Sequence, residues 1–186
     1  MSPQTALTES PPIILDATCS YGRIWPAHAS IRIDNRPETH PDIVMDNTDL
    51  KFQDAYFDEI YYDPPHVISH NSPDVWARGI KKLNANRRLH AMTPGFFERY
   101  GVWPNRQAWF KNVEGVNREF YRCLKPTGRI RIKISDSGDN MTVHLSELLD
   151  KLSNFILEKQ RMTKSRGSKG KSVVYWLTLK PKPCQK

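Results

Sequence analysis

Four carboxylates in this sequence each close a short apolar stretch: Asp16 after Ile13-Ile14-Leu15, Asp34 after Ile31-Arg32-Ile33, Asp46 after Ile43-Val44-Met45, and Asp63 after Ile60-Tyr61-Tyr62. Acids at the ends of successive buried strands meet at one edge of an α/β sheet, in the crevice where open sheets bind ligands. Asp63 has the most specific surroundings, because Pro64-Pro65-His66 follow it directly. Proline has no N–H, so a central strand must stop near Asp63, and two prolines hold the next residues extended. The Asp63 carboxylate and the Pro64 carbonyl are thereby presented together. Two such acceptors can hold both hydrogens of an amino group, which suggests an enzyme that modifies one. Asp-Pro and Pro-Pro alone are ordinary turn formers; the acids upstream give this turn its weight.

The elements that must position these residues are legible. Residues 13–17 form a continuous apolar run, as in a strand buried on both faces. It ends in the small-residue turn Thr18-Cys19-Ser20-Tyr21-Gly22. Residues 31–34, 42–46 and 57–63 supply the next strands. Ile130-Arg131-Ile132-Lys133-Ile134 alternates strictly, giving a fifth strand with one polar side. Val113, Val116, Phe120 and Leu124 predict a helix over residues 112–124, ending at the turn Lys125-Pro126-Thr127-Gly128. Apolar spacing over 142–155 predicts a second amphipathic helix. Residues 155–162 and 173–179 predict a closing hairpin around a Gly-Ser-Lys-Gly loop. Short buried strands joined by helices make a mostly parallel α/β sheet with an antiparallel edge. Residues 1–12 read as a loose arm. Residues 67–111, rich in Pro, Asn, Arg and aromatic side chains, read as a lid beside Asp63, because so long a connection inside one domain is usually functional.

Asp34 lies eighteen residues after Asp16, a spacing that suits an acid accepting hydrogen bonds from a ribose diol. Gly22 would let a ligand approach the backbone closely. In order and spacing, Asp16-x-Thr18-x-Ser20-x-Gly22, Asp34, Asp46 and Asp63-Pro64-Pro65-His66 resemble the class I S-adenosylmethionine-dependent methyltransferases. The likeness runs over residues 13–180 and includes Leu124-Lys125-Pro126-Thr127-Gly128, which is similar to the Leu-Lys-Pro-Gly-Gly turn before that fold's fifth strand. The Asp63 turn is similar to the Asp/Asn-Pro-Pro-aromatic motif of amino-methyltransferases acting on nucleic-acid bases. The resemblance implies a Rossmann-like sheet of about seven strands with helices on both faces. It implies S-adenosylmethionine over residues 16–22, with Asp34 on the ribose hydroxyls and Asp46 and Asn47 facing the adenine. It implies methyl transfer to an exocyclic amine, adenine N6 ahead of cytosine N4, in DNA or RNA. Ser20 stands where a glycine is common, which would narrow the methionine pocket. His66 replaces the usual Tyr, Phe or Trp; its ring can still stack on a base and could titrate near neutrality.

Composition sets the partner. The 186 residues, one domain in size, carry a formal net charge of +8. That balance favours a polyanion, most simply nucleic acid. From Lys159 to Lys186 there is no Asp or Glu. Lys164, Arg166, Lys169 and Lys171, around the hairpin loop, are the candidate phosphate contacts. Cys19, Cys123 and Cys184 are too few and scattered for a disulfide framework. No Cys/His cluster suggests a metal, and the prolines around His66 and His70 argue against a helix that would pair them. The first twelve residues lack the apolar core of a signal peptide, and no apolar run could span a membrane. A reducing, cytoplasmic setting fits. Two other readings survive: a small-molecule N-methyltransferase, and an inactive methyltransferase-like subunit that binds nucleic acid.

Overall fold

The computed structural model describes residues 10–21, 25, 29–68, 101–138, 142–164 and 173–183. Seven strands are present: β1 (Ile14–Asp16), β2 (Ile31–Asp34), β3 (Ile43–Val44), β4 (Phe57–Tyr62), β5 (Leu124–Asp136), β6 (Phe155–Lys164) and β7 (Val173–Pro181). They form one sheet in the order β3-β2-β1-β4-β5-β7-β6. The pairs from β3 across to β5 are parallel. β7 enters antiparallel between β5 and β6. The strand order turns around at β1, so the ends of β1 and β4 border the crevice that such a reversal opens.

The expected strands are all present, and β3 is reduced to two exposed residues at the sheet edge. Two α-helices are described, α1 (Arg106–Cys123) and α2 (Leu145–Lys151). Helix α1 begins inside the stretch expected to be lid. Asn105 caps it by accepting from the Ala108 N–H at 2.8 Å, which satisfies a free donor of the first turn. The periodic face therefore starts at Trp109, which is fully buried with Val113, Val116 and Phe120. Burying each of these side chains contributes about 1.5–3 kcal/mol. They pack on the face of the sheet that carries Ile60, Tyr62, Ile130, Ile132 and Ile134; Phe120 meets Tyr62 edge-on, with ring centres 5.4 Å apart. Helix α2 is shorter than its apolar pattern. The Asn154 N–H donates to Asn117 Oδ1 of α1 instead of continuing the helix, while Leu152 and Phe155 still bury.

The turn expected at residues 125–128 lies inside β5. Phe57 pairs with Leu124 and Glu59 with Arg129, so those four residues bulge out of the ladder. Pro126 has no N–H to give a ladder. Gly128 is required here, since a Cβ would sit 2.8 Å from the Asp58 carbonyl oxygen.

The opposite face is polar and aromatic. It carries Asp16, Glu59, Tyr61, Arg131, Lys133, Trp176 and Thr178 by strict alternation and register. No described α-helix covers it; Trp25, from the β1–β2 connection, stacks on Tyr61 with ring centres 4.9 Å apart. Among the described residues no helix is long and apolar enough to cross a membrane, and no group of three His, Cys, Asp or Glu could hold a metal.

Candidate active site

The carboxyl ends of β1, β2 and β4 surround a cavity of about 290 Å³. Thr18 and Ser20 line it from the turn after β1, Asp34 and Arg36 from the end of β2, and Asn47 from the loop after β3. Asp63, Pro64 and Pro65 line it from the end of β4, and Asn112 from α1. Side-chain hydrogen bonds tie these walls together. The Asp63 N–H donates to Thr18 Oγ1 at 2.6 Å, joining the β1 and β4 turns. Tyr62 OH donates to Asn112 Oδ1, Asn112 Nδ2 to Asn47 Oδ1, and Asn47 Nδ2 to the Ala17 carbonyl. A side chain on α1 thus holds three strand ends in one arrangement.

Asp63 is the buried charge of the site. Its side chain is 5% exposed and pairs with Lys133 of β5, itself 15% exposed. Burial pushes the Asp63 carboxyl up to about 6, and Lys133 pulls in the other direction. Trp103 Nε1 donates to the Pro65 carbonyl at 2.7 Å and fixes the proline turn from outside. No described residue donates to the Pro64 carbonyl, and Pro64 lines the cavity next to Asp63.

On the other side of the cavity, Asp34 is buried and accepts from the Ser20 N–H at 3.0 Å and from the Arg36 N–H and Nε. Ser20, where the family pattern has glycine, has φ 45°. That is the left-handed region, which glycine enters freely and serine at a cost; the Asp34 bond helps to hold it there. A carboxylate with polar amides nearby and a tightly turned backbone suits a nucleoside with a free diol, so the residues present fit S-adenosylmethionine.

Several expected site residues stand apart from this cavity. Asp16 points to the polar face, accepts from the Thr18 N–H, and is pushed up to about 7 by burial. Asp46 is exposed, and its Oδ1 accepts from the Thr48 N–H and hydroxyl. His66 does not line the cavity; burial, then Lys133, pulls its ring down to about 4, so it is neutral at physiological pH. Lys164 is exposed at the end of β6. Gly22, Arg166, Lys169 and Lys171 lie outside the described residues, as do residues 69–100 of the expected lid.

Sequence reasoning passed over Lys133, Asn112 and Arg36, and read Trp103 only as one of the aromatics of the lid beside Asp63. Lys133 was within reach: it is the last basic residue on the polar side of an alternating strand that lies parallel beside the Asp63 strand. Nothing local marked Asn112, whose role comes from contacts distant in the chain.

No family model and no curated protein gives a significant match to the sequence. Solved structures resemble it in fold. TrmN from Thermus thermophilus aligns with TM-score 0.56 and 14% identity over 92% of this chain and 44% of that one. A SAM-dependent methyltransferase from Methanosarcina mazei aligns with TM-score 0.53 and 13% identity over 91% of this chain and 92% of that one. The 1,6-didemethyltoxoflavin-N1-methyltransferase of Burkholderia thailandensis, solved with bound 1,6-didemethyltoxoflavin and S-adenosylhomocysteine, aligns with TM-score 0.51 and 15% identity over 92% of this chain and 71% of that one. The fold is therefore the Rossmann-like sheet of S-adenosylmethionine-dependent methyltransferases.

Proposed function

We propose that this protein is an S-adenosylmethionine-dependent N-methyltransferase that acts on an exocyclic amino group of a nucleic-acid base, adenine N6 ahead of cytosine N4. The observation that carries the reading is the Asp63 turn. A buried carboxylate and a carbonyl without a described donor stand together at the end of β4, on the wall of a cavity whose other wall holds Asp34, Ser20 and Asn47.

Bound S-adenosylmethionine supplies an electrophilic methyl group on a sulfonium. Asp34 and Asn47 would hold its nucleoside part, and the backbone of Thr18–Ser20 its amino-acid part. An exocyclic amine is a poor nucleophile because its lone pair is delocalised into the ring. The Asp63 carboxylate and the Pro64 carbonyl accept one hydrogen each and draw the nitrogen toward a tetrahedral form, with its lone pair directed away from them. Lys133 keeps Asp63 ionised, as an acceptor must be. Fixing these groups before reaction replaces the reorganisation that water would require. As the methyl–sulfur bond breaks, leaving the neutral thioether, and the N–C bond forms, the nitrogen's extra proton would pass to Asp63 or to water. A base within a duplex would first have to leave the stack.

The net charge of +8 favours a polyanionic substrate over a free metabolite. The N-methyltransferase of a small heteroaromatic compound among the structural neighbours supports the chemistry more than the substrate class. The test is nucleoside mass spectrometry after incubation with methyl donor and single-stranded DNA, RNA or duplex. Methylated adenosine or cytidine is expected from the wild-type protein and none from Asp63→Ala, with S-adenosylhomocysteine binding retained in the variant. Wild-type turnover by Asp63→Ala would rule out the amine-holding role.

A further inference from the structure

The polar face of the sheet leads from its outer edge directly to Asp63. Arg161 of β6 pairs in register with Trp176 of β7, and Trp176 with Lys133 of β5. Lys133 in turn bonds the Asp63 carboxylate. These four residues make one row across four strands, spanning about 14 Å at the usual strand spacing. The row below it, also set by register, is Lys159, Thr178, Arg131 and Tyr61. A cavity of about 590 Å³ opens on this face, lined by Trp25, Arg131, Lys159, Arg161, Trp176 and Thr178.

The chemistry of the face is specific. Three of its acids are paired, Glu59 with Arg131, Asp63 with Lys133, and Glu158 at its margin with Arg129, and the fourth, Asp16 at the far end of the lower row, accepts from the Thr18 N–H. Lys159 and Arg161 are exposed and enter no ion pair among the described residues. Trp176 is partly exposed and stands in its row between Arg161 and Lys133. Trp25 packs edge-on against it with ring centres 5.6 Å apart and fixes its plane from one side. The buried indole N–H of Trp25 has no acceptor among the described residues. Unpaired cations beside an ordered, partly exposed aromatic ring meet the two requirements for holding a nucleic-acid single strand: phosphates on the cations, a base on the ring. A duplex presents no free base face to Trp176.

We infer that the β5–β7–β6 face is a binding platform for single-stranded nucleic acid, with phosphates on Lys159 and Arg161 and a base stacked on Trp176, and that it delivers the strand toward Asp63. Only that direction rests on the methyltransferase reading; the platform stands on its own residues. It differs from the hairpin loop expected to touch phosphate, because it lies on the strands themselves.

The experiment is fluorescence anisotropy of labelled oligothymidylate and oligouridylate, and of a duplex of equal length, titrated with the full chain over a range of salt. Wild type should bind the single strands more tightly than the duplex. In Lys159→Ala/Arg161→Ala the slope of log affinity against log salt should fall by about 1.4, two contacts at about 0.7 each for a single strand. Trp176→Leu should weaken single-strand binding roughly 5- to 150-fold while leaving the salt slope unchanged, and Trp176→Phe should recover most of it. Circular-dichroism melts confirm that the variants fold. S-adenosylhomocysteine binding, followed in parallel, should be unchanged in all three. An unaltered slope in the double variant, equal affinity for duplex, or loss of binding in Trp176→Phe equal to that in Trp176→Leu would overturn the platform. So would light scattering that shows the exposed β6 edge paired with a second copy and the face covered. If wild type fails to bind S-adenosylhomocysteine yet passes the strand tests, the methyltransferase reading falls and the platform remains.

Discussion

Lys133 Nζ stands 3.2 Å from both carboxylate oxygens of Asp63. The pair forms because β4 and β5 lie parallel with Tyr62 opposite Ile132, which brings the next residue of each strand together on the polar face. A buried acid and a half-buried base on neighbouring strands each stabilise the charge of the other, and removing either leaves an uncompensated ion.

That geometry gives a pH-dependent prediction. The charged and titratable groups around Asp63 are Lys133 from β5 and Asp16 from the end of β1; Tyr62 on its own strand is turned to α1, and His66 in its turn lies near Lys133. Lys133 is the cation among them. Burial already pushes Asp63 up to about 6, and Lys133→Met should raise its pKa by about a further 1 to 3. If methyl transfer needs ionised Asp63, the acidic limb of the pH–rate profile should move up by that amount. Lys133→Arg should restore it. A lower rate with an unmoved limb would mean that Lys133 serves packing alone.

Asp16 gives a prediction about stability. Burial foremost, opposed by the Thr18 N–H and helped by Asp63, lifts its carboxyl from 3.8 to about 7. A raised acid favours the fold while protonated: its contribution is complete below about pH 4 and is lost as the pH rises through 7. Asparagine keeps an oxygen for the Thr18 N–H and carries no charge. Asp16→Asn should therefore be more stable than wild type at pH 8, by at most about 4 kcal/mol, since a tenfold change in the protonation equilibrium corresponds to about 1.4 kcal/mol. Near pH 4 the difference should vanish. Urea titrations at both values test this, and a gap independent of pH would refute the burial account.

The sequence showed the strands and acids of this site because both depend on local rules. A strand ends where Pro64 removes a donor, and a buried strand shows as an apolar run such as residues 13–15 before its closing acid. The relations across the sheet were not legible in the same way. Lys133 meets Asp63 only through the β4–β5 register, which passes through a four-residue bulge at 125–128; a turn of the same composition predicted a clean strand start. Asp46 looked equivalent to Asp34, since both close apolar runs. Yet β3 is an exposed edge strand, and Asp46 turns to Thr48, whereas Asp34 ends a strand paired on both sides and stays buried. Edge or centre is a property of topology, and the local pattern does not encode it.

Gly101 borders the cavity at φ 73°, and a Cβ there would lie 3.2 Å from Pro65 Cγ. Alanine would cost about 1–2 kcal/mol for the left-handed backbone and would press on the turn that carries Asp63. Gly101→Ala should lower the melting temperature modestly and lower single-turnover methyl transfer more than it lowers S-adenosylhomocysteine affinity. Equal losses in turnover and affinity would place its effect elsewhere than on the Pro65 turn.

Asp34 decides whether the second wall of the cavity holds the methyl donor. Its carboxylate already accepts from the Arg36 N–H and guanidinium and from the Ser20 N–H, so it is pre-oriented before any ligand arrives. A ribose diol donating to it would form charge-assisted bonds, each contributing about 1.5–3 kcal/mol. Asp34→Ala should therefore weaken S-adenosylhomocysteine binding by calorimetry roughly 10- to 150-fold for one such bond. Turnover at saturating donor should change much less, because Asp34 stands across the cavity from Asp63. Asp34→Asn keeps one acceptor for the Ser20 N–H, so it controls for collapse of that turn and should give an intermediate affinity. If Asp34→Ala binds as tightly as wild type, the nucleoside lies elsewhere and the assignment of this wall fails.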